Sequence, residues 1–492
     1  MRVSVALFTA DLRVHDNPVL DGALREAESV VPLFVVDSGI RDADFVVPNR
    51  VAFLADCLAD LDAALRARGG RLVVQRGEVV QETCRVAARV GAGAVHVAGG
   101  ASGYAARREA RLRAALARER RELRVHEGAV TVVAPGVLVP SGSGRGASGV
   151  GRGESGEGGR LPGDGRGESA EDHGTSGGTL RKDHFAVFTP YYRRWRSEPW
   201  RAPLRAPRVV RVPSVRSVAL PTAASLAPGA ASPDLPAGGE TAARRRLRRW
   251  AAGPLADYAG RQDDLAGDAT SRLSPYLHFG CLSPVEVARR ALDAGGPGAE
   301  AFVRQLAWRD FHYQVLAARP DAAHRDYRPR YDRWRHDADE VAAWCAGLTG
   351  YPVVDAAMRQ LMQEGWMPGR ARLVAASFLA KTLYIDWRTG ARHFLALLVD
   401  GDIANNQLNW QWVAGTGTDT RPNRILNPLT QALRHDPEGE YVRRWVPELA
   451  AVEGPAVHRP WRLPGPVRAA LAYPDPIVDL AEAADRFRRG RG

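Results

Sequence analysis

The chain has 492 residues, 45% hydrophobic and 25% charged. These proportions supply ample core and exclude a disordered, collagenous or coiled-coil chain. Lys and Arg outnumber Asp and Glu by 68 to 56, a net charge of +12, which points to an anionic partner such as nucleic acid or acidic lipid, or to a genome that prefers Arg codons.

The first residues meet Asp11 and Arg13 before any signal-peptide core can form. No apolar run in this region is long enough to span a membrane. Cys57, Cys84, Cys281 and Cys345 are far apart and form no CxxC pair, so neither a disulfide framework nor a zinc ribbon is suggested. A cytoplasmic, monomeric protein is expected.

Apolar runs at 3–8, 30–36, 71–74 and 94–98 predict strands. Between them lie helical patterns at 49–68, with Phe53, Leu54, Cys57, Leu58, Leu61 and Leu65 on one stripe, and at 82–90. Strand, helix and strand with short links predict a Rossmann-like parallel α/β sheet over 1–135, which holds ligands at the carboxyl ends of its strands. A linker is expected over 136–240. Within it, residues 141–178 collapse into Gly, Ser, Arg and Glu, a disordered insert. The GxGxxG at 144–149 and the GxSxG at 174–178 fall inside this insert, follow no strand and are read as chance. Residues 202–239 read as an extended Pro/Ala-rich linker. An all-helical domain is expected over 241–475, with helices at 300–319, 372–387 and 392–399.

Several residues do not fit a plain core. On the 300–319 helix, Phe302, Leu306, Arg309 and Tyr313 share one face, which puts Arg309 on an apolar stripe. Such a guanidinium either finds an anion or snorkels to the surface. Gln305 and Trp308, three apart, either pack or present an amide and a flat ring to a planar ligand. Asp400 to Gln411 holds two Asp, three Asn and two Gln beside Trp410 and Trp412. That density suits hydrogen bonding to a heteroaromatic ring; a metal at the Asp400/Asp402 pair and a solvated polar loop are the alternatives. The 12 Trp serve core packing, base stacking or electron hopping. His312, His324 and His336 are too widely spaced for a local metal site, and no metal is expected.

These features fall within longer stretches: Asp11-Leu-Arg-Val-His-Asp-Asn17, Phe188-Thr-Pro190, residues 270–280, Trp308-Arg-Asp-Phe311, residues 349–359 and residues 400–428. In them the sequence resembles the DNA photolyase/cryptochrome family over nearly the whole chain apart from insert and linker. It is most similar to the class I cyclobutane pyrimidine dimer photolyases.

The resemblance implies an α/β antenna domain and a helical domain holding FAD in a bent conformation. By it, Arg309 would face Asp400 or Asp402 near the flavin, and Asn406 would sit beside flavin N5. Tyr258 and the Thr270, Ser271, Arg272, Leu273 and Ser274 loop would hold the phosphates. Phe302, Gln305, His312, Arg372 and Gly401 complete the implied cofactor set. Trp410, Trp387 and Trp334 match the family's electron-transfer chain. Trp308 and Trp412 would stack on a lesion in UV-damaged DNA, with Gln305 and Gly369 beside it. Arg370 and Arg424 match phosphate-contacting positions. The implied activity is blue-light repair of cyclobutane pyrimidine dimers by a carbon–carbon lyase, the alternative being a cryptochrome-like photoreceptor.

Three positions depart from the repair pattern: Gln305 stands where Glu is usual, Gly369 where Asn is common, and Leu373 in place of Met. Arg261-Gln262-Asp263 sits one residue out of register with the usual phosphate-binding Arg. For a second, antenna chromophore, Pro48-Asn-Arg50 and the residues at 103–108 favour a deazaflavin over folate.

Overall fold

The computed structural model describes residues 2–40, 46–140 and 183–491. The insert and both of its motif matches lie outside them. Five strands, β1 (Val3–Leu7), β2 (Ser29–Asp37), β3 (Val73–Gly77), β4 (Ala94–Ala98) and β5 (Glu122–His126), form one parallel sheet in the order β3-β2-β1-β4-β5. Val5 on β1 pairs with Val31 on one side and Val95 on the other. The inner strands are mostly apolar because both faces are covered, with Ser4 and His96 among their buried polar exceptions. Val5, Leu7, Val31 and Val95 feed one core, while Ala6, Phe8, Val30 and Val74 feed a larger one shared with the helical domain.

The crossovers are α1 (Pro18–Glu26), α2 (Pro48–Arg66), α3 (Val79–Arg89) and α4 (Gly103–Arg118). The strands and helices expected here form, and α1, α4 and β5 join them. Only Val19, Leu20 and Ala23 of the nine-residue α1 are buried, too few to show a period. The Arg-rich α4 buries only Ala105, Arg108, Leu112 and Leu116, and the edge strand β5 has no buried residue.

Residues 202–239 are extended, as expected, but not free. Val210 N donates to Arg68 O at 2.9 Å, Val30 N to Arg211 O at 2.8 Å and Val218 N to Val74 O at 2.9 Å. The segment straps the sheet to the helices.

The remainder is helical: α5 (Phe188–Ser197), α6 (Ala223–Leu226), α7 (Glu240–Ala251), α8 (Tyr258–Arg261), α9 (Ser274–His278) and α10 (Pro284–Ala294). Then come α11 (Gly296–Ala318), α12 (Ala338–Ala346), α13 (Pro352–Glu364), α14 (Gly369–Ser377), α15 (Trp387–Leu397) and α16 (Ile403–Ala414), with shorter elements up to Leu480–Gly490. The continuous helix expected over 372–387 is broken. After α14 the chain makes a π turn over Phe378–Thr382, and Tyr384 at φ +58 stops it. Asp386 then caps α15 by accepting from Arg388 N, so the helix expected over 392–399 starts at Trp387 instead. No helix among the described residues is long and apolar enough to cross a membrane.

The motif at 11–17 builds the domain interface. The Arg13 guanidinium donates to Asp16 O, Ala129 O and Gly280 O, and Leu12 N bonds Phe279 O. Glu240 accepts from Val14 N and His15 N. Gly280 sits at φ +68 against the backbone of Ala10, where a Cβ has no room. Asn49 and Arg50 serve the same interface. Asn49 Nδ2 donates to Ser232 Oγ and Leu397 O, and Arg50 to Leu395 O and Leu398 O.

Asp310 on α11 ties three segments together. Its Oδ2 accepts from Val132 N at 2.8 Å, Val133 N at 3.0 Å and Trp195 Nε1 at 3.0 Å. Asp310→Asn keeps the shape and the accepting Oδ2, but removes the charge that strengthens these three bonds and places an amide N–H beside Arg309 Nη1, which lies 3.5 Å from Asp310 Oδ1. The variant should lose about 1–3 kcal/mol of stability, read as a lower midpoint in urea unfolding.

Candidate functional site

α9, α11, α14, α16 and residues 262–273 enclose a cavity of about 590 Å³, within the usual range of small-molecule sites. Two charged pairs organise its floor. Arg372 meets both oxygens of the buried Asp400, at 2.8 and 3.1 Å. Arg309 donates to Val130 O at 2.6 Å and to the Tyr313 hydroxyl at 3.2 Å, and that hydroxyl donates to Asp402 Oδ2 at 2.6 Å. Arg309 therefore points inward rather than snorkelling. Of its two expected partners, Asp402 is reached through Tyr313, whereas Asp400 belongs to Arg372.

The charges reinforce one another. Burial opposes ionisation of Asp402, but His278, Arg309 and Tyr313 outweigh it and hold the carboxyl well below its usual range. Asp402 also caps α16 by accepting from Asn405 N at 2.7 Å. Burial pushes His312 down to about 4, so its ring is neutral at pH 7. Its Nδ1 lies 3.1 Å from Asn405 Oδ1, which accepts, so Nδ1 carries the proton and the unpartnered Nε2 is an acceptor.

Further polar atoms on the wall lack partners among the described residues. Thr270 Oγ1 and Trp410 Nε1 are buried and unbonded. Asn406 Nδ2 donates to Ala391 O and Gln407 Oε1, which leaves its carbonyl oxygen for the cavity. Ser274 Oγ accepts from Trp366 Nε1 at 3.1 Å. The Arg272 guanidinium is spent on Asp268 and Glu364, so this residue offers the cavity its backbone, held at φ +51.

The mouth is aromatic and cationic. Trp308 is stacked on Phe188 at 3.7 Å and 4° between planes, which accounts for the Phe188-Thr-Pro190 motif. Trp412 and Gly369 also line the cavity. Gln305 donates to Gln262 Oε1 at 3.2 Å. Arg370 reaches Asp263 at 2.6 Å and Gln431 at 3.2 Å.

Tyr258, Phe302, Leu273 and Ser271 stand on the wall as well. Two expected residues lie off it: Gly401 packs against Arg50, and the Arg424 carbonyl accepts from Lys381 Nζ at 2.6 Å. Residues absent from the expectation include His278, Trp366, Asn405 and Asn409; the 400–411 polar cluster was the available signal for the last two.

Trp410 lines the cavity, while Trp387 is fully buried behind it and Trp334 half-buried beyond, 5.1 Å from the Tyr384 ring. No two of these three indoles are in ring contact. Trp410 instead touches Phe394 at 4.9 Å and Trp344 at 6.1 Å. Gly390 lets the Trp410 ring lie directly on the backbone of α15, the helix that begins at Trp387. No cluster of metal-ligating side chains occurs among the described residues.

Residues 4–149 match the DNA photolyase family and residues 302–490 the FAD binding domain of DNA photolyase. The chain is 60% identical to the deoxyribodipyrimidine photo-lyase of Streptomyces griseus, with 100% of each chain covered. It belongs to the DNA photolyase family. Among solved structures it is similar to the class III photolyase of Agrobacterium tumefaciens, with TM-score 0.84 and 31% identity over 99% of this chain and 96% of that one. It is also similar to the cryptochrome of Synechocystis, with TM-score 0.82 and 26% identity over 99% of each. The helical half of this photolyase-family chain is thus an FAD-binding domain, and the wall atoms left without partners suit a polar dinucleotide.

Asp402→Asn removes the carboxylate charge that faces Arg309 through Tyr313 while keeping a capping oxygen. It should cost about 3 kcal/mol at pH 7. Because Asp402 titrates lower in the folded chain than in the unfolded one, its contribution is present above about pH 4 and lost as pH falls below that. The gap between parent and variant in urea melts should therefore narrow below pH 4.

Proposed function

We propose that the chain splits cyclobutane pyrimidine dimers in DNA under blue light, with FAD in the cavity and the lesion at its mouth. The supporting observation is one cavity in which the unpartnered Thr270 and Trp410 donors and the Arg309–Tyr313–Asp402 set lie beneath a rim of Trp308, Trp412 and Arg370. When bound, the flavin supplies light absorption and one-electron chemistry.

The protein's part is to hold and insulate. Tyr258, Thr270, Ser271, Leu273 and Ser274 hold the phosphates, by hydroxyls and backbone N–H groups. Arg309 and Arg372, each backed by a carboxylate, fix positive charge at the ring. Asn406 offers its carbonyl oxygen, and neutral His312 an acceptor. Trp334, Trp387 and Trp410 relay an electron from the surface, with the α15 backbone at Gly390 bridging the last gap.

A dimer leaves the duplex at lower cost than an intact pair, because it is already poorly stacked. Trp308 and Trp412 take its faces and Gln305 its polar edge. Gln305 bonds without the charge a Glu would bring, which weakens that contact by roughly 1–2 kcal/mol. Arg370 and Arg424 meet backbone phosphates, so affinity falls steeply with salt.

The reading extends to a monomer in the cytoplasm and to a light-harvesting deazaflavin. For that antenna Asn49 and Arg50 give no support, since their side chains are engaged between the domains.

Irradiating a dimer-containing oligonucleotide with the reduced, FAD-loaded protein should remove dimers; an unchanged dimer content overturns the reading. Trp387→Phe should slow photoreduction of oxidised flavin at least tenfold, by transient absorption, while repair by pre-reduced protein stays near the parent rate.

A further inference from the structure

A second recess of about 420 Å³ shares Thr270 and Ser271 with the flavin cavity and otherwise has its own lining. α7 supplies three guanidiniums to it: Arg245, Arg246 and Arg249. Arg245 and Arg249, four apart, have no ion pair or hydrogen bond among the described residues. Like charges at this spacing repel unless an anion is shared. Arg246 spends only its Nε, on Ser271 O at 2.9 Å. The one carboxylate on the lining, Asp268, already accepts from Arg272 at 2.7 Å.

Trp250 is buried, at 4% exposure, and lines the recess. Its Nε1 is a buried donor with no partner. An orphaned indole N–H is destabilising unless something accepts from it. The Tyr276 hydroxyl already donates to Ala237 O. The guanidiniums and the Trp250 N–H are thus free donors, and Pro236, Ala237, Ala242 and Pro254 supply the apolar lining.

We propose that this recess binds a phosphate ester of nucleotide size, its phosphate held by Arg245, Arg246, Arg249 and the Trp250 N–H. Guanidiniums match phosphate oxygens in pairs. The recess exceeds what inorganic phosphate needs, and its apolar lining accepts an organic body. Trp250 lines the recess and is buried, so a group that bonds its N–H enters the recess, which a duplex backbone lying across the surface does not do.

Calorimetric titration of the FAD-loaded protein tests this, because the flavin cavity is then filled. ADP and pyrophosphate should bind saturably at one site per chain, adenosine about tenfold or more weakly. R245A/R249A, on exposed side chains, should weaken ADP at least tenfold with flavin content and melting temperature unchanged. Trp250→Phe, which keeps the ring packing, should weaken it about fivefold. No saturable binding of ADP or pyrophosphate overturns the proposal. So does ADP affinity unchanged in R245A/R249A, or release of flavin on titration. An R245A/R249A defect confined to duplex DNA, with neither small anion bound, also overturns it and assigns these arginines to the DNA surface.

Discussion

A guanidinium held inside a protein must find its counter-charge there, and the cavity is arranged around that need at Arg309. The answer comes from Asp310 at 3.5 Å and from Asp402 through Tyr313, so α11 and α16 are fixed relative to each other by chemistry as well as by packing. His278 adds a third contact to the same carboxylate, at 3.9 Å. Asp310, the next residue along α11, lies within 3.5 Å of Arg309 and ties the helix to Trp195 and to the backbone at 132–133. Two adjacent residues thus join α11 to the 130–133 segment, and one of them joins it to α16 as well.

The interface between the sheet and the helical domain extends that rigidity. It is made by buried polar side chains on backbone carbonyls: Arg13 on Gly280, and Arg50 on Leu395 and Leu398. Each is a charged donor whose desolvation is offset only while both domains are in place. The two parts share one apolar core, so the wall of the cavity inherits the stability of the whole chain rather than of its helices alone.

Much of this was legible from residues. The buried strands announce themselves because sheets covered on both faces need continuous apolar runs. Arg309 stood out because a cation on an apolar stripe is costly, and the cluster at 400–411 because so many amides rarely gather without a partner. Other features were hidden by their nature. Which carboxylate serves Arg309 depends on the tertiary position of Tyr313. The break after α14 depends on a π turn and on one left-handed Tyr384, neither carried by a composition signal. The Asn49–Arg50 pair, read by resemblance as favouring an antenna chromophore, is consumed between the domains, as is the motif at 11–17. Gln305, a departure from the repair pattern, turns out to bond Gln262, in the segment that sits out of register, a pairing no spacing rule reveals.

Phe188 covers one face of Trp308 in parallel contact. An indole clamped in this way is preorganised: it has little rotamer freedom left to surrender when another ring settles on its open side, a saving of about 1 kcal/mol over a mobile side chain. It also admits a single planar guest. The threshold of the cavity therefore counts rings as well as attracting them, and sets its stacking geometry before any guest arrives.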